Sequence, residues 1–295
     1  MDGKHEPSRR EFITRSGGLL LTGRLSQLEG FGTGPSEGFA VGASAARVVA
    51  ERGKSPVIDC HAHVGIGHEL VNSWDTVADA EEILRHAEEA GVDKTVVFPI
   101  NAATYKEANE YIARTCLRYP GKFIGFARHS AKTESGQIRS LLVHEVYDLG
   151  LRGLKLHDQP SQEILDTVKE LSIPVMAHLE RVQDFEDFLP YYPKVNFIVA
   201  HLGAEMSYLI QEHLDAIDLA KRYPNVYLDS SIVLLTRYLE MAIEQLGPEK
   251  ILLGSDGPDG DVRMDIFKIR VLKLPTADEE MILGQNMQRL LGGKI

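Results

Sequence analysis

Short apolar runs alternate with amphipathic segments along the chain from residue 57 onward. The runs are rich in β-branched residues, as in KTVVF (94–98), IPVMAH (173–178) and VNFIVAH (195–201). Strands that are apolar almost throughout are typical of parallel sheets whose two faces are both covered. The pattern therefore predicts eight strands, which begin near residues 57, 94, 122, 151, 173, 195, 225 and 250.

The segments between these runs carry apolar residues every three or four positions. They predict helices over 77–90, 106–119, 136–149, 161–171, 184–189, 205–222, 235–246 and 261–273, with a last helix over 276–291. Eight strand–helix units in about 240 residues predict an α/β fold, a (β/α)8 TIM barrel over residues 51–295. The alternative is an open doubly wound sheet, which would normally carry a glycine-rich phosphate loop after an early strand. HAHVGIG (61–67) is a poor match to such a loop.

Residues 1–50 lack this periodicity and are predicted to form a flexible leader outside the barrel. SRREFIT (8–14) resembles a twin-arginine export signal, and ASA (43–45) offers a cleavage site. Arg15 and Arg24 shorten the intervening apolar patch, and Thr14 stands where the signal pattern has Lys. Two interpretations stay open: an exported, periplasmic protein, or a cytoplasmic protein with a leader that has no targeting role.

Charge and composition restrict the partners. The chain has 295 residues and a formal net charge of −11, which argues against nucleic acid or an anionic membrane as the main partner. No stretch reaches the roughly 18 continuous apolar residues of a membrane-spanning helix. A homodimer is left open.

Polar residues gather where the predicted strands end. In a (β/α)8 barrel these ends meet at one face, where functional groups lie. His61 and His63 are two residues apart, so on one strand they point the same way and can share a cation. Any single histidine here could simply be hydrogen-bonded in the barrel mouth, but the ordered set favours a metal site. The strand ends carry His61 and His63, Arg128 and His129, Lys155 and His157, His178, His201, and Asp256.

Five motifs follow one another along the chain: DCHAHVG (59–65), GLKLH (153–157), PVMAHLE (174–180), FIVAHLG (197–203) and LLGSDGP (252–258). Together they resemble the amidohydrolase superfamily, specifically the amidohydrolase-2 group of metal-dependent TIM-barrel enzymes. The resemblance covers about residues 56–293, and ILGQNMQRLLG (282–292) resembles the closing helix of that group. It implies the fold and a metal-dependent reaction without specifying the substrate.

The resemblance also implies roles for individual residues. His61, His63, His178 and Asp256 would hold one divalent metal, with zinc preferred over manganese. Zinc lowers the pKa of bound water from ~15.7 to about 7, and Asp256 would act as the proton shuttle. His201 would contact the bound water or the substrate and could stabilise an oxyanion if it donates a hydrogen bond.

The fourth strand leaves two alternatives. Arg128, Lys155 and His157 together could hold a carboxylate or another anionic part of the substrate. In binuclear relatives, however, a strand-four lysine becomes carboxylated and bridges two metals, and Lys155 lies near that place. One metal is preferred; in the two-metal alternative His201 would become a ligand of the second ion.

The preferred function is a metal-dependent hydrolase that uses a metal-activated water. Its substrate would be an ester, lactone, amide or related bond in a small, carboxylate-bearing molecule. The alternative is a metal-dependent non-oxidative decarboxylase or hydratase of an aromatic or unsaturated acid. FPIN (98–101) has no arginine of the kind some decarboxylases use, which favours hydrolysis. A third alternative is a metal-binding barrel without catalysis.

Overall fold

A computed structural model of the chain describes residues 55–67, 76–204 and 210–293. The predicted leader, with its twin-arginine-like motif, lies outside these ranges, as do residues 205–209 of the predicted 205–222 helix. No helix in the described ranges is both long enough and apolar enough to cross a membrane.

The strands follow the predicted order and pair in parallel, apart from one short antiparallel strand. The strands are β1 Ile58–Gly67, β2 Thr76–Ala78, β3 Lys94–Pro99, β4 Phe123–Gly125, β5 Ala127–Arg128, β6 Leu154–Leu156, β7 Val175–Ala177, β8 Phe197–Val199, β9 Val226–Asp229 and β10 Ile251–Leu252. They form two hydrogen-bonded sheets, with the orders β2-β1-β3-β4 and β10-β9-β8-β7-β6-β5.

The two sheets join into one ring of eight strands. β4 and β5 are halves of the third predicted strand: the Phe126 amide donates to Val97 O (2.9 Å) and the next amide, of Ala127, donates to Gly153 O (2.9 Å). At the other edge, the Cys60 amide donates to Leu253 O at 2.8 Å. These bonds connect the first strand to the last, and the predicted (β/α)8 barrel is confirmed.

Helices follow the strands and cover the outside of the barrel. Their bounds are α1 Ala80–Ala90, α2 Lys106–Arg118, α3 Ile138–Tyr147, α4 Gln162–Leu171, α5 Ile210–Arg222, α6 Thr236–Leu246, α7 Val262–Arg270, α8 Thr276–Glu280 and α9 Asn286–Leu290.

Three predicted helices differ from the structure. The first begins at residue 80 instead of 77, because residues 76–78 pair with β1 and Asp79 caps the helix by accepting from the Glu81 amide. The predicted 184–189 helix is a 3-10 turn over Val182–Asp187. The last predicted helix, 276–291, is interrupted by a π-turn over Met281–Gln285, which joins α8 to α9.

An irregularity in β1 turns its histidines into the barrel. Ile58 and Cys60 pack in the barrel interior with Phe98 and Met176, whereas Ala62 belongs to the layer under the helices. The register between β1 and β3 shifts between Asp59 and Ala62. Because a one-residue shift exchanges the two faces of a strand, His61 and His63 take the inward side that Ile58 and Cys60 occupy earlier.

Candidate active site

His61 and Asp256 meet at the mouth of the barrel, where β1 and the chain after β10 end. His61 is fully buried, and its Nε2 lies 2.9 Å from Asp256 Oδ1. Its Nδ1 lies 2.5 Å from Oδ2 of Asp229, at the end of β9. A carboxylate can only accept, so Nδ1 carries a proton and Nε2 is the atom presented to Asp256.

His63 is held in the same way. Its Nδ1 lies 3.4 Å from the carbonyl oxygen of Pro99, an acceptor, and its Nε2 lies 3.3 Å from Asp256 Oδ1. Two imidazole nitrogens and a carboxylate oxygen therefore converge, with every ligand atom of His61, His63 and Asp256 within 4.8 Å of the others. Lone pairs that face each other at these distances need a cation between them, so the donor set fits a divalent metal.

Charges in the site agree with this fit. Burial lowers the pKa of His63 to about 3 and that of His201 to about 4, so both rings are neutral at pH 7. Burial and Lys155 would lower the pKa of His61, but Asp256 and Asp229 on either side raise it above its ordinary value. The same two carboxylates that stabilise a proton on His61 Nε2 would stabilise a metal cation there.

Asp256 stays ionised although it is buried. Burial alone would raise the pKa of its carboxyl group, but the electrostatic influence of His61 and His201, together with the close approach of the His61 and His63 rings, holds that pKa well below its usual range. The residue also has a left-handed backbone, with φ of 61°. Its amide donates to His61 O at 2.7 Å, which fixes it beside β1.

His201 is connected to Asp229 through the hydroxyl group of Ser231. Its Nδ1 lies 2.8 Å from Ser231 Oγ, and that hydroxyl donates to Asp229 Oδ2 at 2.8 Å. Since the single hydroxyl proton is used on the carboxylate, Ser231 must accept from His201, which leaves the lone pair on His201 Nε2. His201 also has a left-handed φ, of 56°, a strained conformation that is concentrated at functional sites.

Asp229 lies against a glycine that leaves room for it. A Cβ on Gly254 would lie 2.1 Å from Asp229 Oδ1 and 3.1 Å from the Cβ of His61. The Ser231 amide donates to the same Oδ1 at 2.7 Å. The absence of a side chain at Gly254 is thus what allows the Asp229–His61 contact.

A polar cavity of about 100 Å³ opens onto these groups. His178, a predicted metal ligand, lines it with its ring centroid 4.7 Å from that of His201. It does not belong to the compact set formed by His61, His63 and Asp256, so its ligand role stays a prediction. The lining residues are His63, Asn101, His157, His178, His201, Asp256 and Asp259.

Lys155 lies beneath the cavity. It is fully buried, with Nζ 3.1 Å from His61 Nε2 and 4.9 Å from the centre of the Phe98 ring. Burial lowers its pKa to about 7. The residue therefore contacts a candidate metal ligand and does not line the cavity.

Arg128 stands behind His157. Its Nη1 donates to Pro99 O at 3.0 Å, and its Nη2 contacts Asn101 Oδ1 and lies 2.9 Å from His157 Nδ1. The residue is 2% exposed. Of the three predicted substrate residues Arg128, Lys155 and His157, only His157 lines the cavity, and their roles stay predictions.

His129, adjacent to Arg128, points away from the site because neighbouring residues on a strand face opposite ways. Its Nδ1 lies 2.9 Å from Glu134 and its Nε2 lies 2.8 Å from Glu145. Burial would lower the pKa of His129, but the two carboxylates raise it to about 9. This buried ion triad holds the third strand to α3.

Sequence reasoning missed four polar residues around the site: Asp229, Ser231, Asn101 and Asp259. Asp229 and Ser231 had a usable signal, because NVYLDSS (225–231) ends the seventh strand as the other motifs end theirs. Asn101 follows the second strand and Asp259 follows Asp256 by three positions, and neither offers a comparable pattern.

The fold and the convergent histidines and aspartate define a TIM-barrel protein with a candidate metal centre. The chain belongs to the family described as Amidohydrolase, whose model matches residues 58–293. The predicted resemblance to the amidohydrolase-2 group is thereby confirmed. A search of curated protein sequences finds no significant match.

Solved structures with the same fold include hydrolases and decarboxylases. An amidohydrolase from Burkholderia multivorans with bound zinc is 13% identical, with a TM-score of 0.66 over 81% of this chain and 99% of the other. A dihydroxybenzoic acid decarboxylase from Polaromonas, with manganese and 2-nitroresorcinol, is 17% identical, with a TM-score of 0.64 over 82% and 98%. A probable 2-pyrone-4,6-dicarboxylic acid hydrolase from Acinetobacter baumannii, with citric acid bound, is 18% identical, with a TM-score of 0.64 over 80% and 99%.

Proposed function

We propose that the protein is a metal-dependent hydrolase that cleaves an ester, lactone, amide or related bond in a small, carboxylate-bearing molecule. The observation that carries this proposal is the approach of His61 Nε2 and His63 Nε2 to Asp256 Oδ1, at 2.9 and 3.3 Å. These three atoms, with His178 nearby, would hold one divalent metal. Zinc is the proposed metal and manganese the alternative, since both suit imidazole and carboxylate ligands.

When bound, such a metal polarises a substrate oxygen and makes water a stronger acid. The protein supplies the proton transfers. Asp256, ionised and at the rim of the cavity, accepts the proton of the attacking water at its carboxylate and delivers it to the leaving group. His201 presents the lone pair of Nε2 to the cavity and therefore orients that water by accepting its hydrogen bond. This differs from the expectation that His201 donates to an oxyanion.

The cavity limits the size of the reacting group. With a volume of about 100 Å³ it holds a few non-hydrogen atoms, such as one carboxylate with an adjacent carbonyl. The buried Arg128 behind His157 places positive potential on one side, which favours an anionic group there. The side formed by Asp256 and Asp259 has the opposite charge.

The alternative to one metal is a pair of metals bridged by a carboxylated Lys155. The proposal of one metal is supported by the contact of Lys155 Nζ with His61 Nε2 at 3.1 Å, which ties the amine to a ligand of the first site. Metal analysis of the purified protein tests this point. About one equivalent of zinc or manganese is expected, and two equivalents together with an intact mass increased by one CO₂ would overturn it.

Hydrolysis is tested against decarboxylation with one assay panel. The metal-loaded full chain is incubated with lactones, esters and aromatic acids while acid release and CO₂ are followed separately. Acid release without CO₂ is expected. CO₂ release from an aromatic acid, with no hydrolysis in the panel, would transfer the assignment to the decarboxylase alternative.

Asp256→Asn tests whether the site is catalytic. The variant keeps the shape of the side chain but loses its charge and its capacity to accept a proton, so turnover should fall by about 10²- to 10⁴-fold. Asp148→Asn is the matched control, because Asp148 is exposed and its side chain pairs, within the described residues, only with His144 on α3. Equal turnover in both variants, with both folded, would contradict a catalytic role for Asp256 and favour the metal-binding barrel without catalysis.

A further inference from the structure

Arg128 determines which nitrogen of His157 carries the proton. Nη2 of Arg128 lies 2.9 Å from Nδ1 of His157. A guanidinium group has donors only, so the imidazole nitrogen that faces it must accept. A ring nitrogen that accepts holds a lone pair, and the proton of the neutral ring is then on Nε2.

The Nε2 atom of His157 is buried and makes no hydrogen bond within the described part of the chain. The residue lines the cavity, with its ring centroid 6.1 Å from that of the candidate ligand His63. Buried donors are almost always paired in folded proteins, so an unpaired one on a residue that lines a cavity indicates a ligand. His63 and His201 present lone pairs to the same cavity, and His157 therefore has the opposite hydrogen-bonding character.

The charge behind His157 indicates what it binds. Arg128 is 2% exposed, and no carboxylate within the described ranges forms a direct ion pair with it. Burial lowers the pKa of its guanidinium, and Asp158 offsets part of this effect without contacting it. Arg128 is instead fixed by Pro99 O and by the face of the Tyr105 ring, whose centre lies 5.1 Å from Cζ. A buried cation with no anion in direct contact is unfavourable, and an anionic ligand one imidazole away would compensate it further.

We propose that Arg128 fixes His157 as a neutral Nε2–H donor and that this donor binds a carboxylate oxygen of the substrate. Arg128 is then a positioning residue that does not touch the substrate, and His157 is neither a proton acceptor nor a metal ligand. This proposal rests on the proposed function for its substrate, but the state of His157 can be measured without any substrate.

Nuclear magnetic resonance of the zinc-loaded full chain with ¹⁵N-labelled histidine tests the tautomer. The ring-nitrogen signals of His157, assigned by comparison with His157→Gln, should show the proton on Nε2. In Arg128→Met the fixed donor is gone, and a mixture of the two tautomers is expected. A wild-type ring with its proton on Nδ1, or an unchanged ring in Arg128→Met, would overturn the proposal.

Binding of benzoate as a probe tests the carboxylate. His157→Phe removes the donor and should weaken benzoate binding by roughly 10- to 100-fold, the effect of losing a hydrogen bond to a charged group. His157→Gln keeps an N–H donor and should recover part of this affinity. The zinc content of both variants should equal that of wild type, because His157 is not a ligand.

His144→Gln is the matched control, since that histidine is exposed on α3 and its ring pairs with Asp148 at 2.6 Å. Equal benzoate affinity in His157→Phe and wild type would contradict the proposal. If no substrate of the panel is hydrolysed but the tautomer and benzoate results are as expected, only the proposed reaction is contradicted. If hydrolysis is found but His157→Phe leaves KM unchanged, only the role of His157 in carboxylate binding is contradicted.

Discussion

The carboxylate of Asp229 lies 2.5 Å from Nδ1 of His61, across 168 positions of the sequence. This contact turns Nε2 of His61 toward Asp256. Through Ser231, the same carboxylate also fixes Nδ1 of His201 as a donor. One aspartate therefore orients two histidines of the candidate site, although it is fully buried and lines no part of the cavity.

Asp229→Asn should weaken metal binding by about 10- to 100-fold, because an amide stabilises the orienting proton of His61 less than a carboxylate does. Competition with a chromophoric chelator measures the affinity. Asp148→Asn, at an exposed site, should retain wild-type affinity. Equal affinities in the two variants would mean that Asp229 does not support the metal.

Ser231→Ala should lower kcat by roughly 10-fold while leaving the metal content unchanged, because His201 loses its orienting acceptor but the candidate ligands keep theirs. The comparison requires kcat and metal analysis on the same preparation. Ser140→Ala is the control, since that hydroxyl is exposed on α3 and donates to Gln137 O at 2.8 Å. A loss of metal along with kcat would count against this separation of roles.

Gly254→Ala should reproduce the metal defect of Asp229→Asn and also destabilise the fold by about 1–3 kcal/mol. The new Cβ would lie 2.1 Å from Asp229 Oδ1, so the carboxylate must move away from His61. Chemical denaturation and chelator competition measure the two effects. Gly136→Ala, at a glycine with φ of 80° and nothing within 4 Å, should cost stability but not metal affinity.

The buried triad of His129 with Glu134 and Glu145 should make stability depend on pH. The pKa of His129 is raised from 6.5 to about 9 in the folded protein, so its contribution is complete below pH 6.5 and is lost as pH rises through 9. That contribution is on the order of 3 kcal/mol. Urea denaturation of wild type and His129→Gln measures it, with the metal content held equal.

The difference between the two free energies of unfolding should shrink as pH rises from 6.5 to 9. His144→Gln, which removes an exposed histidine, should follow the wild-type curve throughout. Parallel curves for wild type and His129→Gln would show that His129 is not charged in the fold.

The fold could be predicted because its signal is local. Each barrel strand is a short apolar run and each helix has its own period, so eight strands and most helix bounds follow from neighbouring residues alone. The exceptions arise from distant contacts: residues 76–78 pair with β1 instead of starting α1. The inward turn of His61 and His63 likewise depends on a register shift of β1 against β3, and the apolar pattern of β1 does not predict this shift.

By itself, the sequence determined that histidines and an aspartate stand at the ends of parallel strands, and the architecture of a barrel brings such ends to one face. Only the tertiary structure decided which nitrogen of each ring faces the cavity. That choice depends on the partner of the other nitrogen, which is Asp229 for His61, Ser231 for His201 and Arg128 for His157. These partners come from other strands, and a hydrogen bond between distant segments leaves no periodic trace in either one.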